Sequence, residues 1–472
     1  MKKKYTMNIH TLILTIISIT LFTIYTISNN TLDTKTSNTI YIIGMSLYGL
    51  FILLNFYLHK NSFYGVSSFC MTFLFCEKGF SDVNNISLLS NLFMLTILGL
   101  IIHLIKYKPK IHSNHFTISS LLFILAIALS GIGVKEYDPQ FPVYFNSYIP
   151  LLIIGLGIVI VIILNYFSST NESTLEDVSI YFKAFIILIG YEIFFFIFYK
   201  LNGNFNDYFY NFKDINNTNR LNLGIGHPNT IAIILQMTIP FMLYFSFKNH
   251  KIINTIFYYL NFLLIIMTMS RGVLLVTTIL MIPYTIYLLI KNRTTSKINL
   301  ICHLSIFIII IGIFIIIFIN EYNTVMTFLK SLLSNLSHLN GRERIWKYVL
   351  EHYKINPIFG IGILSNSYWR LELWDGFQFA HSTILQTLWM AGIVGLIGLF
   401  IHLFDKYYYI IKNKKYISLM LMFYLCSGLY GTLDVTYYNL HFTTYLLVIM
   451  FLYSSYIYKL DKNNLVKEYF LL

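Results

Sequence analysis

The sequence predicts an all-α protein, a polytopic membrane bundle of about fourteen transmembrane helices that form a single domain over residues 1–472. Of the 472 residues, 57% are apolar and 11% are charged, whereas a soluble domain carries about 25% charged residues. Apolar runs of about 20 residues recur along the chain, and each is long enough to cross a bilayer core of roughly 30 Å. This composition excludes a soluble globular protein of this length.

The apolar runs set approximate limits for each span in chain order. These limits are 9–28, 38–58, 62–77, 86–105, 116–134, 148–166, 178–200, 228–247, 252–269, 272–290, 298–320, 383–404, 416–432 and 437–458. The first span follows a basic N-terminus, but no small-residue cleavage site follows that span, so we expect an uncleaved helix. Two polar stretches, 201–227 and 321–381, form long loops, and the second lies between the eleventh and twelfth spans.

The distribution of basic residues predicts the orientation. With the N-terminus in the cytoplasm, twenty lysines and arginines, Lys406 among them, fall in cytoplasmic segments, against five in the short outer segments. The positive-inside rule therefore places both termini in the cytoplasm, and it places the loops 201–227 and 321–381 on the outer face, because long loops translocate regardless of charge. The segment 168–177, which this topology assigns to the cytoplasm, does not fit the rule because it has three acids and no base. Acids, however, weigh little in this rule.

Charge and cysteine content exclude several other classes of protein. The net charge of +13 does not indicate nucleic-acid binding, because the basic residues occupy short loops where they set topology. The cysteines lie in apolar runs without zinc-ligand spacing, so we expect neither a disulfide nor a metal site. They are Cys70, Cys76, Cys302 and Cys426. The sequence shows no inverted repeat of the transporter type and no paired acids in an outer loop for a metal-bound sugar phosphate.

Under this topology the outer face collects the polar side chains that can carry chemistry. They are Arg220 and His227 at the end of the first long loop, Arg271 in the turn after the ninth span, Arg342, Arg344 and His381 in the second long loop, and Asp434 beyond the thirteenth span. A reaction at a membrane surface on a lipid-borne substrate needs such a convergence. We therefore expect the active site there.

The arginines have a functional and a structural interpretation. Arg271 lies in a turn so tight that its guanidinium is held at the depth of phosphate head groups, and arginine binds phosphate bidentately. The alternative is an interfacial arginine that snorkels to the head groups. Arg342 and Arg344 open an amphipathic stretch, which either binds phosphate or lies on the membrane with its basic residues toward anionic lipid.

The remaining candidates are a histidine, two tryptophans and a glutamate. His381 stands at the polar start of a span, where an imidazole can accept a proton near neutral pH, or where it bonds a loop carbonyl or caps the helix. Trp369 and Trp374 can stack on sugar faces or anchor the chain at the interface. Glu192, deep in the seventh span, is the one clear intramembrane acid and either pairs with a buried polar group or marks a pathway.

Several short motifs together resemble a known family. His381-Ser382, nine residues and then Gly392-Ile393-Val394-Gly395 resemble the histidine motif of the O-antigen ligase and polymerase superfamily. Arg271, three residues and then Leu275 are similar to its arginine motif. The stretches Gly341-Arg342 to Trp346 and Asn356-Pro357-Ile358-Phe359-Gly360-Ile361-Gly362 resemble its large outer loop, and His227-Pro228-Asn229 is also similar. The resemblance is specific over about 220–400, with one departure, because Ser382 stands where asparagine is common.

The resemblance implies glycosyl transfer at the outer face of the bacterial cytoplasmic membrane from an undecaprenyl diphosphate-linked oligosaccharide. His381 and Arg271 are then the catalytic residues, with Arg220, His227, Arg342, Arg344, Trp369 and Trp374 binding substrate. Because the donor is already activated and arginines can neutralise the departing diphosphate, neither a cofactor nor a metal is required. The expected partners are this lipid-linked oligosaccharide and membrane lipid, with a chain-length regulator left open and no nucleic acid.

Three functions remain open on the sequence alone. A polymerase of repeat units for O-antigen, capsule or exopolysaccharide is the first expectation, and a ligase that transfers glycan to an acceptor such as lipid A-core is the second. A lipid-linked sugar flippase is the alternative of another class, but it should carry charges at mid-depth in both halves of the chain. Here the charged residues cluster at the outer face, and the membrane interior offers only Glu192. A transferase that uses monophosphate-linked sugars is disfavoured by the missing acidic pairs.

Overall fold

The computed structural model of the protein describes residues 6–31, 34–75, 83–109, 115–132, 154, 166, 174–200, 228–248, 252–268, 270–291, 297–320, 322, 326, 342–362, 380–412 and 416–432. Within these ranges the regular secondary structure is helical, with no strand. The helices are α1 (Met7–Thr31), α2 (Thr34–Leu58), α3 (Phe63–Phe75), α4 (Val83–Tyr107), α5 (His115–Ala128), α6 (Leu175–Phe195), α7 (Pro228–Lys248), α8 (Ile252–Thr268), α9 (Arg271–Lys291), α10 (Lys297–Asn320), α11 (Arg342–His352), α12 (Thr383–Lys412) and α13 (Ile417–Gly431). A π-helical turn, Phe196–Lys200, extends α6, and a 3-10 turn, Tyr353–Ile355, extends α11.

The helices confirm a polytopic membrane helical protein. Six of them, α1, α2, α6, α7, α9 and α12, are long and apolar enough to cross a membrane by length and composition, and shorter apolar helices lie within α4, α5, α8, α10 and α13. Of the predicted spans, 437–458 lies outside the described residues, and so does 148–166 apart from residues 154 and 166. The number fourteen therefore stays a prediction.

The core is built around α7, which is buried almost throughout. Helices α6, α8, α9 and α13 pack on it, and α1 and α3 pack in turn on α6. By contrast, α10 exposes apolar side chains along its length, among them Ile308 and Ile319. Apolar side chains exposed along a helix are expected where the solvent is lipid rather than water. The bundle therefore has a buried central helix and at least one lipid-facing one.

Side-chain contacts fix the direction in which the helices run. α9 and α13 are antiparallel, since Gly272 lies against the ring of Tyr430 near one end and Tyr284 donates a 3.3 Å hydrogen bond to Ser418 near the other. α12 and α13 pack together and are joined by a short segment, so they are antiparallel as well. Hence α9 and α12 begin at the same end of the bundle.

The first residues of α7 lie at that end too. Ser270, which precedes α9, donates a 2.8 Å hydrogen bond from its hydroxyl to Oδ1 of Asn229 in the first turn of α7. We call the end of the bundle where α7, α9 and α12 begin the motif end. Under the predicted topology the motif end is the outer face.

A capping box explains two of the three acids that the positive-inside count did not fit. Asp177 accepts a hydrogen bond from the Thr174 backbone N–H at 2.8 Å and the Thr174 hydroxyl accepts one from the Asp177 N–H at 3.3 Å, so together they start α6. Glu176 lies in the same first turn. Carboxylates are stabilised at the positive N-terminus of a helix. These acids therefore serve the helix and carry no information about orientation.

Two sequence expectations about charge were wrong. Lys406, assigned to a cytoplasmic loop, lies inside α12, which runs to Lys412, and is 3% exposed. Glu192 is buried as predicted, but it is not the only buried ionisable side chain in the described helices. The others include His10, His103, His303, His402 and Lys406. Histidine at an apolar helix position is not visible as buried in a sequence, because its neighbours decide its environment.

Candidate active site at the motif end

Arg271 is the first residue of α9 and is half-buried. The turn before it is held by Ser270, whose carbonyl accepts the first helical hydrogen bond of α9 from the Leu274 N–H at 2.9 Å. Because the hydroxyl of Ser270 is bonded to Asn229, the beginnings of α7 and α9 are tied side by side. A helix N-terminus carries a partial positive charge. Arg271 therefore adds its full charge at a point where the backbone already favours an anion.

Arg342 and Arg344 stand at the beginning of α11, as expected from the amphipathic pattern. Arg342 is half-buried and Arg344 is exposed. The inner side of α11 buries Ile345 and Val349, which confirms the predicted apolar face. These two side chains form a small apolar cluster with Ile361, Ala380 and Trp389, which we call the α11 cluster. α11 thus packs on α12 instead of standing apart from it.

His381 lies two residues before α12 in a left-handed backbone conformation, with φ at 48°. A non-glycine residue in this region costs roughly 1–2 kcal/mol, although histidine and asparagine accept it more readily than most. The helix cap is Ser382, whose carbonyl accepts the Gln386 N–H at 2.8 Å and whose hydroxyl accepts the Leu385 N–H at 3.4 Å. Ser382 therefore occupies the N-cap of α12, one residue after His381.

The identity of the cap also explains the departure at position 382. Serine and asparagine are both favoured at a helix N-cap, because each offers a side-chain oxygen to a first-turn N–H. Ser382 is 4% exposed and makes this contact. A serine in place of asparagine thus keeps the local structure that the histidine motif needs.

The residue before His381 is held on both of its polar backbone atoms. Ala380 is fully buried. Its carbonyl accepts a 2.9 Å hydrogen bond from Nε1 of Trp346 in α11, and its N–H donates a 2.6 Å hydrogen bond to Oε1 of Gln386 in α12. The beginnings of α11 and α12 are thereby joined.

A break in α12 receives the segment 357–362. Gly392 has φ 62° and ψ −158°, which no helix allows, and divides α12 into two parts. At the break, the N–H groups of Ile361 and Gly362 donate to the carbonyls of Trp389 and Met390 at 3.0 and 2.9 Å. In the other direction, the N–H groups of Ile393 and Val394 donate to the carbonyls of Pro357 and Ile358 at 2.9 and 3.1 Å. The helical hydrogen bonds lost at the break are thus replaced by bonds to the loop segment.

Glycine is required at the two positions where these backbones meet. A Cβ at Gly392 would overlap the carbonyl of Ile358 and lie 2.7 Å from the nitrogen of Gly360. A Cβ at Gly360, which has φ 68°, would overlap the carbonyl of Met390. The glycines of the two motifs therefore face each other, and each explains the presence of the other.

The same segment is attached to α5. The Gly131 N–H donates to the Phe359 carbonyl at 2.9 Å, and Nδ2 of Asn356 donates to the Ile132 carbonyl at 2.6 Å. α5 packs along α12. The segment 356–362 is consequently fixed to α12 and to the turn after α5, so this part of the long loop 321–381 is held against the bundle.

Several sequence candidates fall outside the described residues. They are Arg220, His227, Trp369, Trp374, Cys76 and Asp434. Among the candidates inside the described ranges, Arg271 follows Ser270, which bonds the first turn of α7. The helix that begins with Arg342 and Arg344 is bonded through Trp346 to Ala380, the residue before His381. Both groups lie at the motif end. No group of three or more metal-ligating side chains occurs among the described residues.

Sequence reasoning missed the residues that hold this site together. Trp346 ends the motif 341–346 but was assigned no role, and Gln386 was not among the predicted site residues. One signal was available: Gln386 is a polar residue in an otherwise apolar span, one turn beyond His381, and such a residue must find a buried partner. Ser270 and Asn229 gave no such signal, because polar residues at span ends are common.

Comparison with known families agrees with this geometry. Residues 256–401 match the family model described as O-antigen ligase. The chain carries an O-antigen ligase domain. That domain begins within α8, ends within α12, and includes Arg271, Arg342, Arg344 and His381. No curated protein matches the chain.

The match supports a general class of activity. Residues 256–401 are similar to the O-antigen ligase family, whose members are membrane glycosyltransferase-like enzymes that act on lipid-linked oligosaccharides, and the apolar helices indicate an integral membrane protein. The segment 356–362 and the α12 break, which dock on each other, both lie within the matched residues. The family match and the rigid part of the motif end therefore coincide.

Proposed function

We propose that the protein is a polysaccharide polymerase that joins undecaprenyl diphosphate-linked oligosaccharide repeat units at the outer face of the bacterial cytoplasmic membrane. The observation that carries the proposal is the placement of basic residues at helix N-termini of the motif end. Arg271 opens α9, Arg342 opens α11, and His381 precedes α12. A cation at a helix N-terminus opposes the macrodipole, so this arrangement is favourable when an anion binds between such ends.

The reaction assigned to this arrangement is a substitution at an anomeric carbon. The bond between that carbon and the diphosphate oxygen of the lipid breaks, and a bond forms to the oxygen of a sugar hydroxyl on a second repeat unit. The hydroxyl proton passes to the imidazole of His381, and the undecaprenyl diphosphate leaves with the bonding electrons. Arg271 and the arginines of α11 stabilise the charge of the departing diphosphate, a role that needs no metal.

The rigid segment 356–362 supports this assignment. A catalytic histidine must be held within hydrogen-bonding reach of the hydroxyl. Hydrogen bonds from α11 and α12 fix the backbone of Ala380, next to His381. Further hydrogen bonds from α12 and from the turn after α5 fix the segment 357–362. Trp369, Trp374, Arg220 and His227 remain proposed contacts with the sugar or lipid.

A ligase is the second candidate, favoured by the family description of residues 256–401. Purified protein in lipid should be incubated with a single lipid-linked repeat unit, and the products separated by size. A ladder of lengths from the repeat unit alone supports the polymerase. A product that forms only when a second acceptor lipid is added contradicts the polymerase and supports the ligase.

Orientation and carrier belong to the same proposal. Both termini are assigned to the cytoplasm and the motif end to the outer face. Replacement of the undecaprenyl diphosphate by an undecaprenyl monophosphate in the donor should abolish transfer, because one of the two phosphates that the arginines neutralise is then missing. Equal rates with both donors would contradict the role of the diphosphate.

A further inference from the structure

The backbone before His381 is held by hydrogen bonds from two helices. Trp346 of α11 donates from Nε1 to the carbonyl of Ala380 at 2.9 Å, and Gln386 of α12 accepts the Ala380 N–H at 2.6 Å. Ala380, at 0% exposure, and Gln386, at 1%, are both buried. In this setting each hydrogen bond is shielded from competing water, and loss of either leaves a buried polar backbone group without a partner.

These two bonds act on the conformation of His381. The carbonyl that Trp346 bonds belongs to the peptide group that joins Ala380 to His381, so the indole sets the plane from which the φ rotation of His381 starts. That φ is 48°, a value that residues other than glycine rarely adopt. On the other side, Ser382 is fixed as the cap of α12. The strained backbone of His381 is therefore imposed from both neighbours.

We propose that Trp346 and Gln386 are positioning residues for His381, an inference that rests on the proposed function of that histidine. Trp346 lies on the helix that Arg342 and Arg344 open, so the same hydrogen bond sets the arginine-bearing end of α11 relative to the imidazole. Neither side chain needs to touch substrate. Their effect is to hold the histidine in the one backbone conformation from which its ring reaches the acceptor hydroxyl.

The chain offers a matched control for Trp346. Trp389 belongs to the α11 cluster, is 2% exposed, and its Nε1 has no hydrogen-bond partner among the described residues. Trp389→Phe removes an indole N–H that bonds nothing, whereas Trp346→Phe removes the one that bonds Ala380. Both variants replace a tryptophan by phenylalanine next to the junction of α11 and α12, and Trp389 is the more deeply buried of the two. A role in packing alone therefore predicts a loss for Trp389→Phe at least as large as for Trp346→Phe.

The experiment compares purified variants in lipid, with the product ladder as the assay and the lipid-linked repeat unit varied. Trp346→Phe and Gln386→Met should each lower kcat by about 10- to 100-fold, since a small misplacement of a catalytic group has that effect. The KM for the lipid substrate should change less than threefold, because the substrate contacts remain. Trp389→Phe should keep kcat within about twofold of the wild type.

Two further measurements separate positioning from folding and from the proposed function. Per-molecule activity is normalised to the folded fraction, from thermal unfolding in detergent. If Trp346→Phe lowers only the unfolding temperature, or if it and Trp389→Phe lose activity equally, the positioning role is overturned. His381→Asn tests the proposed role of the histidine itself: if it keeps wild-type kcat, that role as a base fails. If it is inactive while Trp346→Phe and Gln386→Met are fully active, the function stands and the positioning inference fails.

Discussion

At the scale of single residues, His381 and Arg271 depend on backbone conformations that their own side chains do not determine. His381 and Lys108 are the non-glycine residues with positive φ among those described. His381 has a left-handed φ and lies between Ala380, whose carbonyl is hydrogen-bonded to Trp346, and Ser382, which caps α12. The choice of substitution therefore matters, since each replacement changes the backbone energy as well as the side-chain chemistry.

Substitutions at His381 should separate chemistry from strain. Asparagine tolerates the left-handed region and glycine prefers it, so His381→Asn and His381→Gly should fold normally, whereas His381→Ala should be less stable than His381→Gly by about 1 kcal/mol. All three should lose about 10²- to 10⁴-fold in transfer rate, because general base assistance is absent. Thermal unfolding and product length check both statements. Wild-type polymer from His381→Asn at equal folded protein would refute the chemical role.

Arg271→Lys should lose most activity even though the charge is kept. An ammonium is a point charge and does not reproduce the planar fork that binds a phosphate through two parallel hydrogen bonds. Loss of one such contact in a transition state costs about 2.7–4 kcal/mol, which is roughly 10²- to 10³-fold in kcat. Lys291→Arg, at the other end of α9, is the matched control and should retain full activity. Normal polymer from Arg271→Lys would exclude a bidentate role.

At the scale of helices, apolar length predicted position well and missed the interruption of α12. The predicted spans 228–247 and 252–269 differ from α7 and α8 by one residue. The span 383–404 fell eight residues short of the end of α12, because Asp405 and Lys406 read as loop. In the structure the Ser119 hydroxyl bonds Asp405 at 2.8 Å, which lets the helix continue. Polar residues inside a helix need a partner that only the tertiary fold supplies.

The break at Gly392 could not be predicted for a related reason. The residues around it are apolar, none is proline, and glycine in a membrane helix usually serves close packing. What breaks the helix is the loop segment 357–362, which supplies backbone donors and acceptors to the exposed groups. The glycine motifs of segment 356–362 and of α12 are both visible in the sequence, but their pairing depends on a contact between distant segments. The burial of the histidines in α1, α4, α10 and α12 depends on such contacts in the same way.

Alanine substitutions of glycine should show this pairing directly. Gly392→Ala and Gly360→Ala each place a methyl group on a facing backbone and should lower stability by about 1–3 kcal/mol, with activity lost. Gly428 and Gly312 lie in α13 and α10 with nothing within 4 Å of a Cβ. Their alanine variants should gain up to about 1 kcal/mol from helix propensity. The unfolding temperature in detergent should fall for the alanine variants of Gly392 and Gly360 and should not fall for those of Gly428 and Gly312. A Gly392→Ala variant as stable as the wild type would contradict the packing of segment 357–362 against the break in α12.

At the scale of the whole molecule, the two ends of the bundle differ in chemistry. The motif end gathers arginines, His381 and paired backbone segments. The opposite end of α12 carries His402, Asp405 and Lys406, where Ser119 bonds Asp405 and Phe123 stacks on His402. These contacts hold α5 against α12 away from the motif end. At this end of α12 the contacts of Asp405 and His402 with α5 therefore fit a structural clamp between the two helices.

The helix directions make the topology a two-sided test. His303, near the start of α10, lies 3.1 Å from Ser246 at the end of α7. α10 therefore runs toward the motif end, and position 335, which follows α10, is expected on the same side as His381. Position 413 joins α12 to α13 at the opposite end. Whichever way the protein is inserted, cysteines at these two positions should be accessible from opposite sides of the membrane.

Labelling of intact cells with a membrane-impermeant maleimide should therefore modify Asn335→Cys and leave Asn413→Cys unmodified until the cells are lysed. The positive-inside rule sets this sign. The native Cys70 and Cys426 are buried and should not react, and the unsubstituted protein gives the background. Labelling of 413 but not 335 would invert the orientation and move the motif end to the cytoplasm. Labelling of both positions in intact cells would contradict the helix directions themselves, since α12 would then fail to cross the membrane.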